Sequence, residues 1–240
     1  DFDEEVWYKT LNKARFMDEL IVRHSAIIDQ YDPEKKVGIS VDEWGTWFTC
    51  EPGTNPGFLY QQNTVRDALV ASVTMDIFNK HSDRVRLACL AQVVNVLQSV
   101  ILTDGAKMIK TPTYHVFHQY RHHQGAQLLQ SSLSGVEEIG IGEWKVPELS
   151  ESVSEKDGII TITLSNLSAT DSKELDIQLT ENKIYEVIES TIVTNSDMHA
   201  HNTFEEPENV KEAAFDAYEV NGNTMKLTLP ACSVVELRIR

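Results

Sequence analysis

The spacing of apolar positions changes type near residue 124. Before that point, long periodic segments alternate with short, continuously apolar runs. Across 4–29, Leu11, Ala14, Met17, Leu20, Ile21, Ile27 and Ile28 fall at the intervals of one helix face. Asp32-Pro33-Glu34 breaks that pattern, and Val37-Gly38-Ile39-Ser40-Val41 follows, short and β-branched as a buried strand requires. A Pro/Gly-rich loop over 51–57 leads to a second helix. Asn63 is placed to cap it, and it runs to about Lys80 with Val65, Leu69, Val73 and Ile77 on one face. A second apolar run covers 85–91, and a third helical segment is expected at 114–122. Strand, loop, helix, strand is a βαβ unit, which makes the two strands parallel.

From residue 124 onward the period is two. Ile160, Ile162 and Leu164 alternate with threonines, and Leu175, Ile177 and Leu179 alternate with polar residues. The stretches 185–193, 225–229 and 234–239 behave alike, and strands at such spacing predict a β-sandwich. Residues 134–158, rich in Gly, Glu and Ser, read as an irregular excursion. The expected units are therefore 1–123, α/β in class, and 124–240, all-β. A complete (β/α)8 barrel takes about 250 residues, so the first unit is either a small open sheet or the latter part of a barrel.

Composition narrows the partners. Of 240 residues, 41% are hydrophobic, enough for a sizeable core. Asp and Glu number 37 against 21 Lys and Arg, a net charge of −16 that repels phosphate backbones and argues against nucleic acid. An uncharged sugar meets no such barrier. No apolar stretch approaches the roughly 18 residues that span a bilayer, so no membrane association is expected. The opening Asp-Phe-Asp-Glu-Glu has neither a starting methionine nor the basic and apolar regions of a signal peptide. The chain is expected to begin inside a longer protein, which leaves its compartment open. The three cysteines, Cys50, Cys89 and Cys232, predict no disulfide framework and no zinc site, and Cys89 reads as a small buried hydrophobe.

The sharpest chemistry lies in Ser40-Val41-Asp42-Glu43-Trp44-Gly45-Thr46-Trp47. An apolar strand runs straight into two carboxylates, at the end where parallel α/β folds bind ligands. Glycosidic cleavage needs a carboxylate on one face of the sugar and a proton donor on the other, and Trp44 and Trp47 offer apolar walls for its C–H faces. The plainer reading makes Asp42 and Glu43 strand-end ion-pair partners. The second apolar run ends in Ala91-Gln92-Val93-Val94-Asn95, so Gln92 should emerge on the same rim as Glu43. There it either meets a sugar hydroxyl or ties down loop backbone.

These stretches resemble the α-L-arabinofuranosidases of glycoside hydrolase family 51 across the whole chain. The matching segments are Asp29-Gln30-Tyr31-Asp32-Pro33, Val41-Asp42-Glu43-Trp44-Gly45-Thr46-Trp47, Asp67-Ala68-Leu69 and His81-Ser82-Asp83-Arg84-Val85. They continue with Leu90-Ala91-Gln92-Val93-Val94-Asn95-Val96 and Asp197-Met198-His199-Ala200-His201-Asn202-Thr203-Phe204. The resemblance implies the C-terminal part of a (β/α)8 TIM barrel followed by a jelly-roll-like β-sandwich. It implies a retaining mechanism acting on arabinan or arabinoxylan, with Glu43 as nucleophile and Gln92 and Trp47 binding the sugar. Asp42, Trp44 and Asn95 are supporting residues, and no cofactor or metal is implied. The family's acid/base glutamate follows an asparagine, and no Asn-Glu pair occurs in this chain. The implied partners are therefore an arabinose-containing saccharide, the N-terminal half of the same enzyme and further copies in a homo-oligomer. The fragment alone is expected to be inactive.

Other features carry less. His115, His118, His122 and His123 share one face of the third helical segment, but no metal-binding signature accompanies them. His199 and His201 would share one side of a strand. Asn166-Leu167-Ser168 is a glycosylation triplet that is common by chance. A non-catalytic carbohydrate-binding module, or an enzyme for a different glycoside, is the competing function. Trp144 and a few tyrosines are a thin platform for the former.

Overall fold

The computed structural model describes residues 2–181 and 183–240; Asp1, the first residue of the expected 1–123 unit, lies outside them. Helix α1 (Glu4–Ile28) starts where the Asp3 carboxylate accepts the Val6 amide, and it buries Trp7, Tyr8, Leu11 and Ile21. Strand β1 (Ile39–Trp44), helix α2 (Val65–Lys80) and strand β2 (Val85–Leu90) follow. β1 and β2 pair in parallel, as the βαβ pattern predicts. They form a two-stranded sheet, and no closed barrel is present among the described residues.

The cap of α2 is Thr64, not Asn63. Thr64 and Asp67 form a reciprocal capping box, while the Asn63 amide donates to the carbonyls of Gln61 and Leu97. A hairpin absent from the sequence reading comes next, β3 (Ile101–Asp104) and β4 (Lys107–Lys110), turning through Gly105 at φ 56°. Helix α3 (Pro112–Tyr120) ends before the histidine pair, and Arg121–His123 is a single 3₁₀ turn. The four histidines therefore do not share one helix face.

The sandwich begins with β5 (Gln127–Leu128), β6 (Glu138–Ile141), β7 (Trp144–Pro147), β8 (Leu149–Lys156) and β9 (Ile159–Asn166). Residues 134–158 are thus strands rather than an irregular excursion. Glycine turns and a serine-rich strand, Ser150, Ser152 and Ser154, hid them. Then come β10 (Lys173–Gln178), β11 (Val187–Thr194), β12 (Glu212–Ala214), β13 (Tyr218–Asn221), β14 (Thr224–Leu229) and β15 (Ser233–Ile239). The sheets run β12-β11-β15-β9-β8-β5 and β10-β14-β13, antiparallel throughout. Between them Leu149, Ile162, Leu164, Leu237 and Ile239 meet Met225, Leu227 and Leu229 in one apolar cluster.

The opposite face of the six-stranded sheet is lined with hydroxyls, yet it is buried too. Ser152, Ser154, Thr161, Thr163 and Ser165 dock on α2 and α3. Ser165 Oγ meets Ser72 Oγ at 2.8 Å, and the Asn79 amide donates to Ser152 Oγ at 3.0 Å. His123 reaches Ser154 and Thr163 at 2.7 and 3.1 Å. A second apolar cluster crosses the 123/124 divide, joining Trp7, Trp44, Leu69 and Val116 to Leu167, Val193 and Val234. No described helix is long and apolar enough to cross a membrane.

Candidate active site

Regular strands alternate their side chains, so position 43 would share a face with Ile39 and Val41 and turn toward the helices. The register forbids this. Val41 lies opposite Ala88 and Trp44 opposite Leu90, so Asp42 and Glu43 together face only Cys89. This bulge carries Trp44 onto the packed face in place of Glu43. Trp44 is buried against Phe78, edge-on at 5.5 Å, and Phe117, stacked at 6.0 Å. It is a core residue rather than an open wall for a sugar. Asp42 and Glu43 are exposed, and Asp42 accepts the Ser40 hydroxyl at 2.6 Å. Cys89 is exposed as well, correcting its reading as a buried hydrophobe.

The C-terminal ends of the two strands stay together. The Ala91 amide donates to the Trp44 carbonyl at 2.8 Å, and the peptide bond from Ala91 to Gln92 is cis. Gln92 therefore leaves β2 beside the residues that follow Glu43, and its side chain is exposed. Trp47 is 67% exposed on the turn after β1. Asn95, at φ 60°, turns away to hold the β3–β4 hairpin: it donates to Thr103 Oγ1 at 2.9 Å and accepts the Thr103 amide at 2.7 Å.

Glu43, Trp44 and Trp47 border one groove of about 580 Å³ between the end of β1 and α1, where Met17 and Leu20 supply an apolar wall. Asn95 lines a different pocket, with Phe58, Tyr60 and Phe204. A larger cavity, about 840 Å³, lies in the sandwich beside β10 and β14 and includes none of these residues.

The turn carrying Trp47 is held by the buried polar side chains of Gln61, Asp67 and Gln98; the sequence reading quotes Asp67 within a family-matching segment but assigns none of the three a role. A Thr-x-x-Asp capping box at Thr64 would have marked Asp67; nothing comparable marks Gln98. The Arg66 guanidinium, buried next to Asp67, sits 3.6 Å from the Phe2 ring and 4.1 Å from the Phe48 ring.

The remaining motif segments are structural joints. Buried Arg84 ion-pairs with Asp29 and Asp32 (2.8 Å to the latter) and donates to the Val37 carbonyl at 2.7 Å, joining two of the quoted stretches. The 199–201 segment is a turn and a single bridge, not a strand. His199 reaches the Phe2 carbonyl at 2.6 Å, and the Ala200 carbonyl accepts the Val65 amide at 3.0 Å, so this stretch pins the starts of α1 and α2 to the sandwich. His118 pairs with Glu212 and His122 with Glu236, each at 2.6 Å. No described group of three or more His, Cys, Asp or Glu residues is arranged to hold a metal ion.

Residues 42–233 match the family model of the α-L-arabinofuranosidase C-terminal domain. An intracellular exo-α-L-arabinofuranosidase of Bacteroides ovatus is 43% identical over all of this chain and 46% of its own length. A glycoside hydrolase family 51 arabinofuranosidase from Xanthomonas axonopodis pv. citri superposes with a TM-score of 0.96 at 47% identity, over all of this chain and 48% of that one. A family 51 α-L-arabinofuranosidase from Bifidobacterium longum gives 0.85 at 25% identity, over 99% of this chain and 49% of the other. The chain thus spans about half the length of the relatives it matches, and it belongs to the α-L-arabinofuranosidases of glycoside hydrolase family 51.

Proposed function

We propose that this chain carries the nucleophile of a retaining exo-α-L-arabinofuranosidase and that Glu43 is that nucleophile. The observation that carries the reading is the bulge at Asp42–Glu43. It frees one carboxylate from the packed face at the C-terminal end of a parallel strand, with Gln92 leaving the neighbouring strand alongside. In a retaining mechanism Glu43 attacks the anomeric carbon while a proton donor protonates the departing oxygen; water then cleaves the glycosyl–enzyme bond. Gln92 and Trp47 bind the arabinofuranosyl ring, and Asp42 and Asn95 support the strand end and the adjoining loop.

Residues 1–123 are then the closing part of a (β/α)8 barrel and 124–240 a jelly-roll-like sandwich. The parallel pair supports this. It has a free edge on each side and leaves Leu87 56% exposed on its uncovered face, a state that further strands would relieve. The N-terminal half of the enzyme supplies those strands and the acid/base carboxylate, so the 240-residue chain alone is inactive. Arabinan- or arabinoxylan-type saccharides are the substrate class, and the assembled enzyme is a homo-oligomer. The test is Glu43→Gln in the assembled enzyme with an aryl α-L-arabinofuranoside. Turnover should fall roughly 10³-fold or more with the fold intact, and turnover near the parent's refutes the assignment.

A further inference from the structure

The turn that follows Glu43 is irregular, and buried side chains satisfy its polar groups. Gln98, on the loop after β2 and 0% exposed, is the centre of this arrangement. Its Oε1 accepts the Thr46 amide at 2.9 Å, and its Nε2 donates to the Asp67 carbonyl at 2.8 Å and to Thr113 Oγ1 at 3.2 Å. Its own backbone amide donates to the Ala91 carbonyl at 3.1 Å. One residue therefore grips the chain three positions after Glu43 and one position before Gln92.

Its neighbours close the remaining freedom. Thr46 Oγ1 donates to Asp67 Oδ1 at 2.6 Å and accepts from the Gln61 amide at 2.9 Å; Gln61 Oε1 accepts the Phe48 amide at 2.8 Å. Gly45, at φ +129°, passes so near that an added Cβ would stand 3.2 Å from Gln98 Oε1. Side-chain hydrogen bonds in a dry site specify one geometry, because any shift leaves a buried donor or acceptor unpaired.

We infer that Gln98 is a positioning residue for the reaction: it sets the separation between the Glu43 strand end, the Trp47 turn and the Gln92 strand end. This rests on the reading of Glu43 as nucleophile. Misplacing a reacting group by an ångström lowers turnover while ground-state binding changes little.

The experiment compares Gln98→Ala, Gln98→Glu and the seam control Ser72→Ala in the assembled enzyme, with kcat, KM and unfolding midpoint measured for each. Gln98→Ala should lower kcat by about 10- to 100-fold, a larger factor than the accompanying rise in KM. Ser72→Ala should shift the midpoint and leave kcat unchanged. Gln98→Glu keeps the acceptor but loses the donor unless the introduced carboxyl is protonated, so its activity profile should rise toward acid pH relative to the parent's. Should Gln98→Ala fail to fold, that acid shift decides. Unchanged kcat in folded Gln98→Ala, or a parental pH profile in Gln98→Glu, overturns the inference. If Glu43→Gln is inactive while Gln98→Ala is fully active, only the positioning role falls; if Glu43→Gln is active, the nucleophile reading falls first.

Discussion

The β1–β2 pair and the six-stranded sheet of the sandwich handle their surfaces in opposite ways. The parallel pair packs one face on helices and leaves the other, with Leu87, Cys89 and the candidate carboxylates, open. The six-stranded sheet buries both faces, one against the apolar core and the other, rich in Ser and Thr, against α2 and α3. α1, α2 and α3 take their support from the sandwich, so the open pair is displayed on a scaffold that needs little from it. The candidate carboxylates sit where the packing is incomplete, not on the sheet whose two faces are both covered.

The largest expected effect tests that dependence. Trp7 of α1 is fully buried, and its Nε1 donates to the Leu167 carbonyl of the sandwich at 3.0 Å. Trp7→Ala should cost about 3–5 kcal/mol by chemical denaturation. Trp7→Phe retains most of the packing but strands the Leu167 carbonyl, a loss of about 1–3 kcal/mol. If Trp7→Ala loosens α1 alone and leaves global unfolding unchanged, the helix is not anchored as described.

The hydroxyl seam should give a smaller and non-additive signal. Ser72→Ala or Ser165→Ala alone leaves one buried hydroxyl without its partner, at about 1–2 kcal/mol. The double variant removes both groups and should fall short of the sum by at least about 0.5 kcal/mol. Additive losses would mean that the 2.8 Å contact carries no energy.

The same seam sets a pH dependence. Burial pushes Asp76 up to about 7 although Tyr120 and Ser150 donate to it, and burial pushes Glu236 up to about 8. Burial holds His122 and His123 down to about 4. Burial thus favours the uncharged form of both partners in the His122–Glu236 contact. A carboxyl whose folded pKa is raised contributes stability at low pH that is lost as pH rises through that value. A histidine held low contributes stability above its unfolded pKa, near 6.5, that is lost as pH falls toward 4. Between pH 6.5 and 8 only the carboxyls act, so stability should decline there. Glu236→Gln keeps a donor for His122 and should flatten that decline; an equally steep loss would place the titration elsewhere.

Much of this was legible because apolar periodicity survives in sequence. The alternation of Ile160, Ile162 and Leu164 gave β9 and the face it turns to the core. What Thr161, Thr163 and Ser165 do was hidden, since the same residue types serve a solvent-facing or a docked surface. The apolar run predicts β1 two to three residues early, because it ends where charge begins, whereas the strand continues through Asp42 and Glu43 into Trp44. The bulge that decides where Glu43 points is a property of pairing with β2, and no single strand encodes it. Gln98 left no local mark, because its role comes from three segments meeting in space.

The smallest stability effect is expected at Trp47, and it separates packing from binding most cleanly. Its side chain is 67% exposed, while its turn is fixed by contacts to Thr46 and Phe48 that do not involve the indole. Trp47→Ala should therefore leave unfolding within about 0.5 kcal/mol of the parent. An indole that stacks on a furanose contributes on the order of 1 kcal/mol, so kcat/KM should fall about fivefold. The expected signature is the inverse of Ser72→Ala, which changes stability and not turnover. Unaltered kcat/KM would remove Trp47 from the proposed sugar site.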